Sequence, residues 1–258
     1  HFGSRPHSIF CLPVSHIRLT MSHKWLSFNE THSNGDFGLK DEDDEEVQAL
    51  RQTMYLKDTW VLWEQVVAND GKQSKYADAT RQVCKFSTVQ DFWAIWNALP
   101  QPSELLESRR IMREPSTGSG SPVAIDAIMI FRDGIHPSWE DKHNANGGHY
   151  QIQLKPNIGG GQIDEYWNNI VLGMIGGYIE QYDLITGIRL VDKLSGPKGQ
   201  TSIRVELWFQ KSPDQNAPAI LKRSMEKIMG TKLDGTERKD FNPEFKVEMK
   251  SHVNAGKH

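Results

Sequence analysis

Residues Ser202–Gln210 read SIRVELWFQ. The alternation assigns Ile203, Val205, Leu207 and Phe209 to one face of a strand and Arg204, Glu206, Trp208 and Gln210 to the other. The first set is apolar throughout and marks a core surface, while the second puts a cation and an indole together on the non-core face. A period of two with one polar face is the mark of an antiparallel sheet packed on one side. TWVLWEQVV (59–67), AIDAIMIFR (124–132), HYQIQL (149–154) and FKVEM (245–249) have the same strand character. Three helical segments lie between them. STVQDFWAIWNALP (87–100) opens on a capping-box pattern from Ser87 to Gln90 and stops before Pro100. QIDEYWNNIVLGMIGGYI (162–179) is the second, and SPDQNAPAILKRSMEKIMG (212–230) the third, with Ser212 as N-cap, Pro213 in the first turn and Gly230 at the end. Strands dominate and helices follow no regular alternation, so the expected class is α+β, a mostly antiparallel sheet covered by helices on one face.

The helix faces add a surface prediction. At 100° per residue, Val89, Phe92, Trp96 and Leu99 form one stripe, and Trp93 falls at its edge, roughly 80° from the centre. In the second helix Ile163, Trp167, Ile170, Met174 and Tyr178 cluster, whereas Leu172 points almost the opposite way. A Trp and a Leu outside their core stripes are candidates for two halves of a docking patch.

The 258 residues suit one large domain or two small ones, and the apolar share of 37% is ordinary for a globular chain. The net charge of −3 includes the six acidic residues of Asp41–Glu46, so the remainder carries +3. Residues 1–52 read as a flexible, acidic tail whose opening HFGSRPHS resembles a cloning scar. Residues 53–258 are expected to form a single domain with insertions at 100–122 and 194–201. Cys11 and Cys84 lie far apart with no CxxC spacing, which supports neither a disulfide framework nor a cysteine zinc site. No stretch reaches the roughly 20 apolar residues of a membrane span, and a cytoplasmic protein is expected, with no membrane partner.

Catalytic patterns are not evident. His136, His143 and His149 suit no single helix face as zinc ligands. The glycine run at Ile158–Gln162 lacks the lysine of a P-loop, no Ser/His/Asp order suggests a triad, and no Glu-rich Nudix helix is present. A carbohydrate-binding module would explain exposed tryptophans but not a basic face beside Glu140. No enzyme, cofactor or metal is expected.

FRDGIHPSWEDKHNANGG (131–148) sets Trp139 directly before Glu140 within a run of turn residues and charges. Together with TWVLWEQ, KFSTVQDFWAIWNAL (85–99) and YWNNIVLGMIGG (166–177), it occurs in an order and at spacings that resemble the translation initiation factor 4E family, the messenger-RNA cap-binding proteins. The similarity runs from about Met54 to Asn254. It implies a strongly curved antiparallel sheet of about eight strands, three helices on its convex face and a cap pocket on its concave face.

The chemistry agrees with that resemblance. A 7-methylguanine ring is planar and cationic, so two aromatic side chains above and below it combine stacking with a cation–π term. Trp139 would be one. Glu140 offers two acceptors that match the paired N–H donors on guanine's Watson–Crick edge, a match adenine cannot make. The resemblance places Tyr76 at the second stacking position, where initiators of the family usually carry Trp and the 4E-homologous repressor branch carries Tyr. Initiator and repressor are both open, and a general nucleotide-binding module is the remaining alternative. By the same resemblance Lys193, Arg204 and Lys198 would neutralise cap phosphates, Trp208 would contact the methyl group, and His149 would stand at a basic position whose contribution weakens as pH rises. Trp93 and Leu172, with Tyr55 and Leu56, match the surface on which the family docks a Tyr-x-x-x-x-Leu-apolar helix from an initiation factor 4G-like scaffold or a 4E-binding protein. Asn168 sits there where an apolar contact is usual, Asn169 replaces a usual glutamate and Met54 a usual histidine.

Overall fold

The strands expected around Thr59–Val67, Ala124–Arg132, His149–Leu154 and Ser202–Gln210 all form, and they belong to one sheet. The computed structural model describes residues 52–66, 79–107, 110–113, 122–194, 202–232, 235–237 and 246–253. In chain order its elements are β1 (Tyr55–Val66), β2 (Thr80–Thr88), α1 (Val89–Trp96), β3 (Ile111–Arg113), β4 (Val123–Arg132), β5 (Gly148–Leu154), α2 (Gly160–Ile175), β6 (Ile185–Asp192), β7 (Ile203–Phe209), α3 (Ala217–Met229) and β8 (Glu248–Ser251). The eight strands make one open sheet in the order β2-β1-β4-β6-β7-β5-β8, with β3 paired to β4. The pairings from β1 to β8 are antiparallel. Among the described residues no helix is long and apolar enough to cross a membrane.

Contacts group the described residues into two compact units. One comprises residues 52–56 with Phe86–Leu99, and the other the described residues of 57–85 and of 100–253. In the first, α1 starts one residue later than its capping-box pattern indicated. Thr88, not Ser87, is the N-cap, and its side chain accepts a hydrogen bond from the Asp91 N–H at 3.0 Å. Gln90 is diverted from the box: its amide donates to Gln52 O and accepts from Met54 N. The Met54 carbonyl also accepts from Val89 N at 2.8 Å, fixing the helix start to the entry of β1. Phe92 stacks on Trp96 and meets Phe86, which accounts for the buried stripe; Trp93 sits edge-on to Phe92 and is 37% exposed.

In the second unit, register spreads the two faces of β7 across the sheet. On one side lie Leu62, Ile128, Ile130, Ile188, Leu190 and Leu207, all buried. Tyr150 of β5 belongs to that face and donates its hydroxyl to Pro218 O at 2.6 Å, tying α3 down there. Helix α2 meets α3 where Gly173 leaves room for Ile228, and Asn169 donates to Thr231 O at 2.7 Å. The position that differs from the expected glutamate thus caps the end of α3.

Helix α2 is shorter than expected. Gly177 takes φ +73°, Tyr178 N donates to Gly173 O and Gly177 N to Met174 O, the paired bonds of a Schellman stop. Tyr178, which the periodicity assigned to the buried stripe, therefore lies beyond the helix and is 82% exposed. Helix α3 also departs from its expected start. Ser212 Oγ accepts from Asp214 N and Asp214 Oδ1 from Asn216 N, two successive side-chain turns that delay the helix to Ala217, with Pro218 in its first turn.

Candidate functional site

The opposite face of the sheet holds the residues assigned to the non-core side of β7. Aligned pairs run Met129–Arg189–Glu206–Gln151 in one row and Phe131–Gly187–Trp208–His149–Lys250 in the next. This face is not open as the alternation suggested. Trp208 is fully buried, in a second core with Ala127, Met129, Phe131, Ile135 and Val191. Gly187 makes that possible: a Cβ there would come within 2.4 Å of the Phe131 ring, the ring that meets Trp208 edge-on at 5.5 Å. The expected ligand contact of Trp208 therefore has no exposed surface to act through in this conformation.

Glu206 is the electrostatic centre of this layer. Its carboxylate is 2% exposed, 3.1 Å from Arg189 Nη1, 2.7 Å from Arg204 Nε and 3.0 Å from the Trp208 indole N–H that donates to it. Burial alone would raise its pKa, but Arg189, then His149 and Arg204, and the indole hydrogen bond outweigh burial and hold it below the usual carboxylate range. Arg189 reaches on to Gln65 of β1 at 3.1 Å and lies over the Trp208 ring. The Arg204 pair is one of proximity, since its Nε makes no aligned hydrogen bond. Among the described residues Arg204 has no other ion pair, and Lys193, half-buried just past β6, has none. Burial first, and Arg204 second, pull the Lys193 ammonium below its ordinary value, with Asp126 acting the other way. Two cations thus stay incompletely neutralised on one side of the sheet.

His149 corrects an expectation. It is buried, stacked on Trp208 at 5.5 Å, with Nδ1 2.8 Å from Nε2 of His252. Desolvation is the main cause that lowers its pKa to about 4, against the attraction of Glu206. It is neutral near pH 7 and is not a phosphate-neutralising cation.

The loop between β4 and β5 carries Trp139 and Glu140 and is braced from inside. Asp141 accepts from His136 N and His143 N, both at 2.9 Å. Asn144, fully buried, donates its amide to the carbonyls of His136 and Ser138. His136 packs edge-on against Trp63 of β1, and Gly147 passes so close to β7 that a Cβ would overlap the Phe209 carbonyl. Against that bracing, Trp139 is 43% exposed and Glu140 is exposed, and among the described residues neither has a hydrogen-bond, ion-pair or ring partner. An unpartnered indole and an unpartnered carboxylate, adjacent on a stiff loop, can stack a flat ring and read paired donors on its edge.

The remaining sequence candidates are placed as follows. Tyr76 and Lys198 lie outside the described residues. Tyr55 and Trp93 are exposed and Leu56 is half-buried within the first unit. Asn168 and Leu172 are half-buried on α2, and the Asn168 amide is engaged by Gln101 Oε1 at 2.9 Å and Asp164 O at 2.8 Å. Sequence reasoning missed Arg189 and His252 as parts of this layer. Glu206 was placed by the alternation on the face of Arg204 and Trp208, but given no role.

Residues 55–257 match the family model described as Eukaryotic initiation factor 4E. The chain is 35% identical over 144 residues to eukaryotic translation initiation factor 4E of Saccharomyces cerevisiae, an alignment covering 55% of this chain and 58% of that one. It is 33% identical over 172 residues to the Candida glabrata factor, covering 65% and 70%. Among solved structures, the fold matches a C. elegans eIF4E-3 in complex with the 4E-binding protein Mextli and cap analog, with TM-score 0.57, 18% identity, and coverage of 80% of this chain and 97% of that one.

Proposed function

Because the chain belongs to the eukaryotic initiation factor 4E family, we propose that it binds the 7-methylguanosine cap of messenger RNA and recruits a translation partner. The observation that carries this reading is the exposed, unpartnered Trp139–Glu140 pair on a loop braced from inside by the hydrogen bonds of Asp141 and of the Asn144 amide. Holding such a loop stiff in the free protein removes an ordering cost from ligand binding. Trp139 stacks one side of the methylated base and Tyr76 the other. Glu140 accepts the two N–H donors of the guanine edge. Lys193 and Arg204, with Lys198, meet the phosphates; the incomplete neutralisation of the first two supports this assignment. Trp208 and His149 contribute from beneath, as the packed layer on which the site is built. The exposed Tyr55 and Trp93 serve a partner helix of the Tyr-x-x-x-x-Leu type.

The test is a fluorescence titration with 7-methylguanosine triphosphate and guanosine triphosphate at one stated salt concentration. The wild-type chain should prefer the methylated ligand. Glu140→Ala should weaken it by about tenfold or more, the scale of a lost charge-assisted pair, and should lose the preference over the methyladenosine analogue. Wild-type protein that binds neither nucleotide refutes the reading, and an unaltered Glu140→Ala removes that residue from the site.

A further inference from the structure

We infer that His252, which belongs to none of the motifs above, is a positioning residue that fixes the Trp139–Glu140 loop to the sheet in its binding geometry. The inference rests on the cap reading of that loop. His252 follows β8, 108 residues from Asn144 and 103 from His149 along the chain. Its Nδ1 lies 2.9 Å from the Asn144 carbonyl, its Nε2 lies 2.8 Å from His149 Nδ1, and its backbone N–H donates to Gly147 O at 3.1 Å.

With both rings neutral, these contacts permit one proton arrangement. A carbonyl only accepts, so His252 Nδ1 carries the hydrogen that is donated to Asn144. In the neutral ring Nε2 is then the acceptor, and His149 must donate from its own Nδ1. The chain of bonds runs from His149 on β5 through His252 to Asn144, and the Asn144 amide continues it to the Ser138 carbonyl, one residue before Trp139. His149, His252 and Asn144 are all buried, His252 at 3% and Asn144 at 0% exposure. The His252 ring also packs against Trp208 at 4.4 Å, so it is held in place by the same layer that anchors Glu206. Neither histidine touches the exposed face of the loop. Their effect on a ligand is exerted through where Trp139 and Glu140 are held.

The relay makes a prediction that simple packing does not. In His252→Gln the amide spaces an acceptor and a donor much as the two ring nitrogens do, whereas His252→Phe keeps volume and the aromatic contact but loses both bonds. His252→Phe should weaken 7-methylguanosine triphosphate binding about tenfold and speed amide hydrogen exchange across 138–147, while His252→Gln stays within about twofold of wild type in both. A phenylalanine variant that binds like wild type overturns the proposal, as does a glutamine variant no better than the phenylalanine one. Should His252→Phe not fold, the wild-type protein supplies the second measurement: two slowly exchanging imidazole Nδ1–H protons by NMR, from His149 and His252. Their absence in protein that binds the ligand refutes the relay. Wild-type protein with both protons and a protected loop but no affinity for the ligand refutes the cap reading, and with it the ligand role of His252, while the anchoring itself stands.

Discussion

Replacing Glu206 with glutamine should destabilise the folded protein by about 3–5 kcal/mol, the scale for removing one partner of a buried ion pair. The carboxylate is 2% exposed and serves Arg189, Arg204 and the Trp208 indole at once. Glutamine keeps the volume and an acceptor oxygen, so the packing and the indole bond can persist and the change isolates the charge. What remains is Arg189, whose side chain is 8% exposed and whose guanidinium loses the carboxylate that lay 3.1 Å away while keeping its bond to the neutral Gln65 amide. Arg204, at 26% side-chain exposure, can turn toward water and adds little. Equilibrium urea unfolding followed by tryptophan fluorescence measures the loss directly, and a thermal scan should register roughly 6–20 °C of lowered Tm for a domain of this size. Adding Arg189→Met should recover much of it, since no uncompensated charge is then left in the layer. The acid limb gives a further check. The Glu206 pKa is lower folded than unfolded, so its contribution is present above the unfolded pKa and is lost as pH falls through the folded one. The wild-type and Glu206→Gln curves should therefore converge in acid. A loss of only about 1 kcal/mol, the scale of a solvated pair, or a double variant no more stable than the single, would falsify the claim that this carboxylate neutralises a buried cation.

Trp93→Ala should abolish binding of a helical Tyr-x-x-x-x-Leu peptide, read by calorimetry, and leave cap affinity within about twofold; joint collapse of cap binding and thermal stability would make Trp93 a core residue. His149 is held at a pKa of about 4, below the ordinary imidazole value of 6.5, so the unfolded chain takes up the proton first. Stability should be fully present above pH 6.5 and decline as pH falls toward 4, by on the order of 3 kcal/mol from this group; His149→Gln should flatten that part of a urea-midpoint profile, and an unchanged profile would show that another group titrates. Tyr76→Trp should tighten the methylated nucleotide by roughly 0.5–1 kcal/mol and unmethylated guanosine triphosphate by less, because indole is the stronger cation–π partner. If Tyr76→Ala leaves both titrations unchanged, the second stacking ring is another aromatic.

The strands legible in the sequence are those with one apolar and one more polar face. Tyr55–Val66, Gly148–Leu154 and Ile203–Phe209 keep enough polar residues on one side for a period of two to stand out. Strand β6 escaped the same reading although it is central, paired to both β4 and β7, because its polar residues fall on both faces, Arg189 on one and Thr186 and Asp192 on the other, and the contrast that alternation reports has vanished. The ends of helices were misread for a local reason. Ser87 and Thr88 can both cap the first helix, while Ser212 and Asp214 take up backbone N–H groups in turns before the third, whose N-cap Asn216 makes no side-chain bond, and only the fixed backbone decides which is used.

Trp139 and Glu140 could be picked out from the chain alone, since adjacency on a turn-rich loop is a one-dimensional property. So could the sharing of one strand face by Arg204, Glu206 and Trp208, which follows from the pleat. Tertiary structure decided what that face is for. Trp208 became core instead of surface because Gly187, on the strand between Phe131 and Trp208, leaves space for Phe131 to close over it. His149 became a neutral hydrogen-bond donor instead of a cation because His252, 103 residues later, is brought against it where water cannot reach. Charge state and exposure depend on the atoms that surround a group in space, and those atoms come from strands distant in sequence, whereas periodicity and adjacency depend only on the order of residues along the chain.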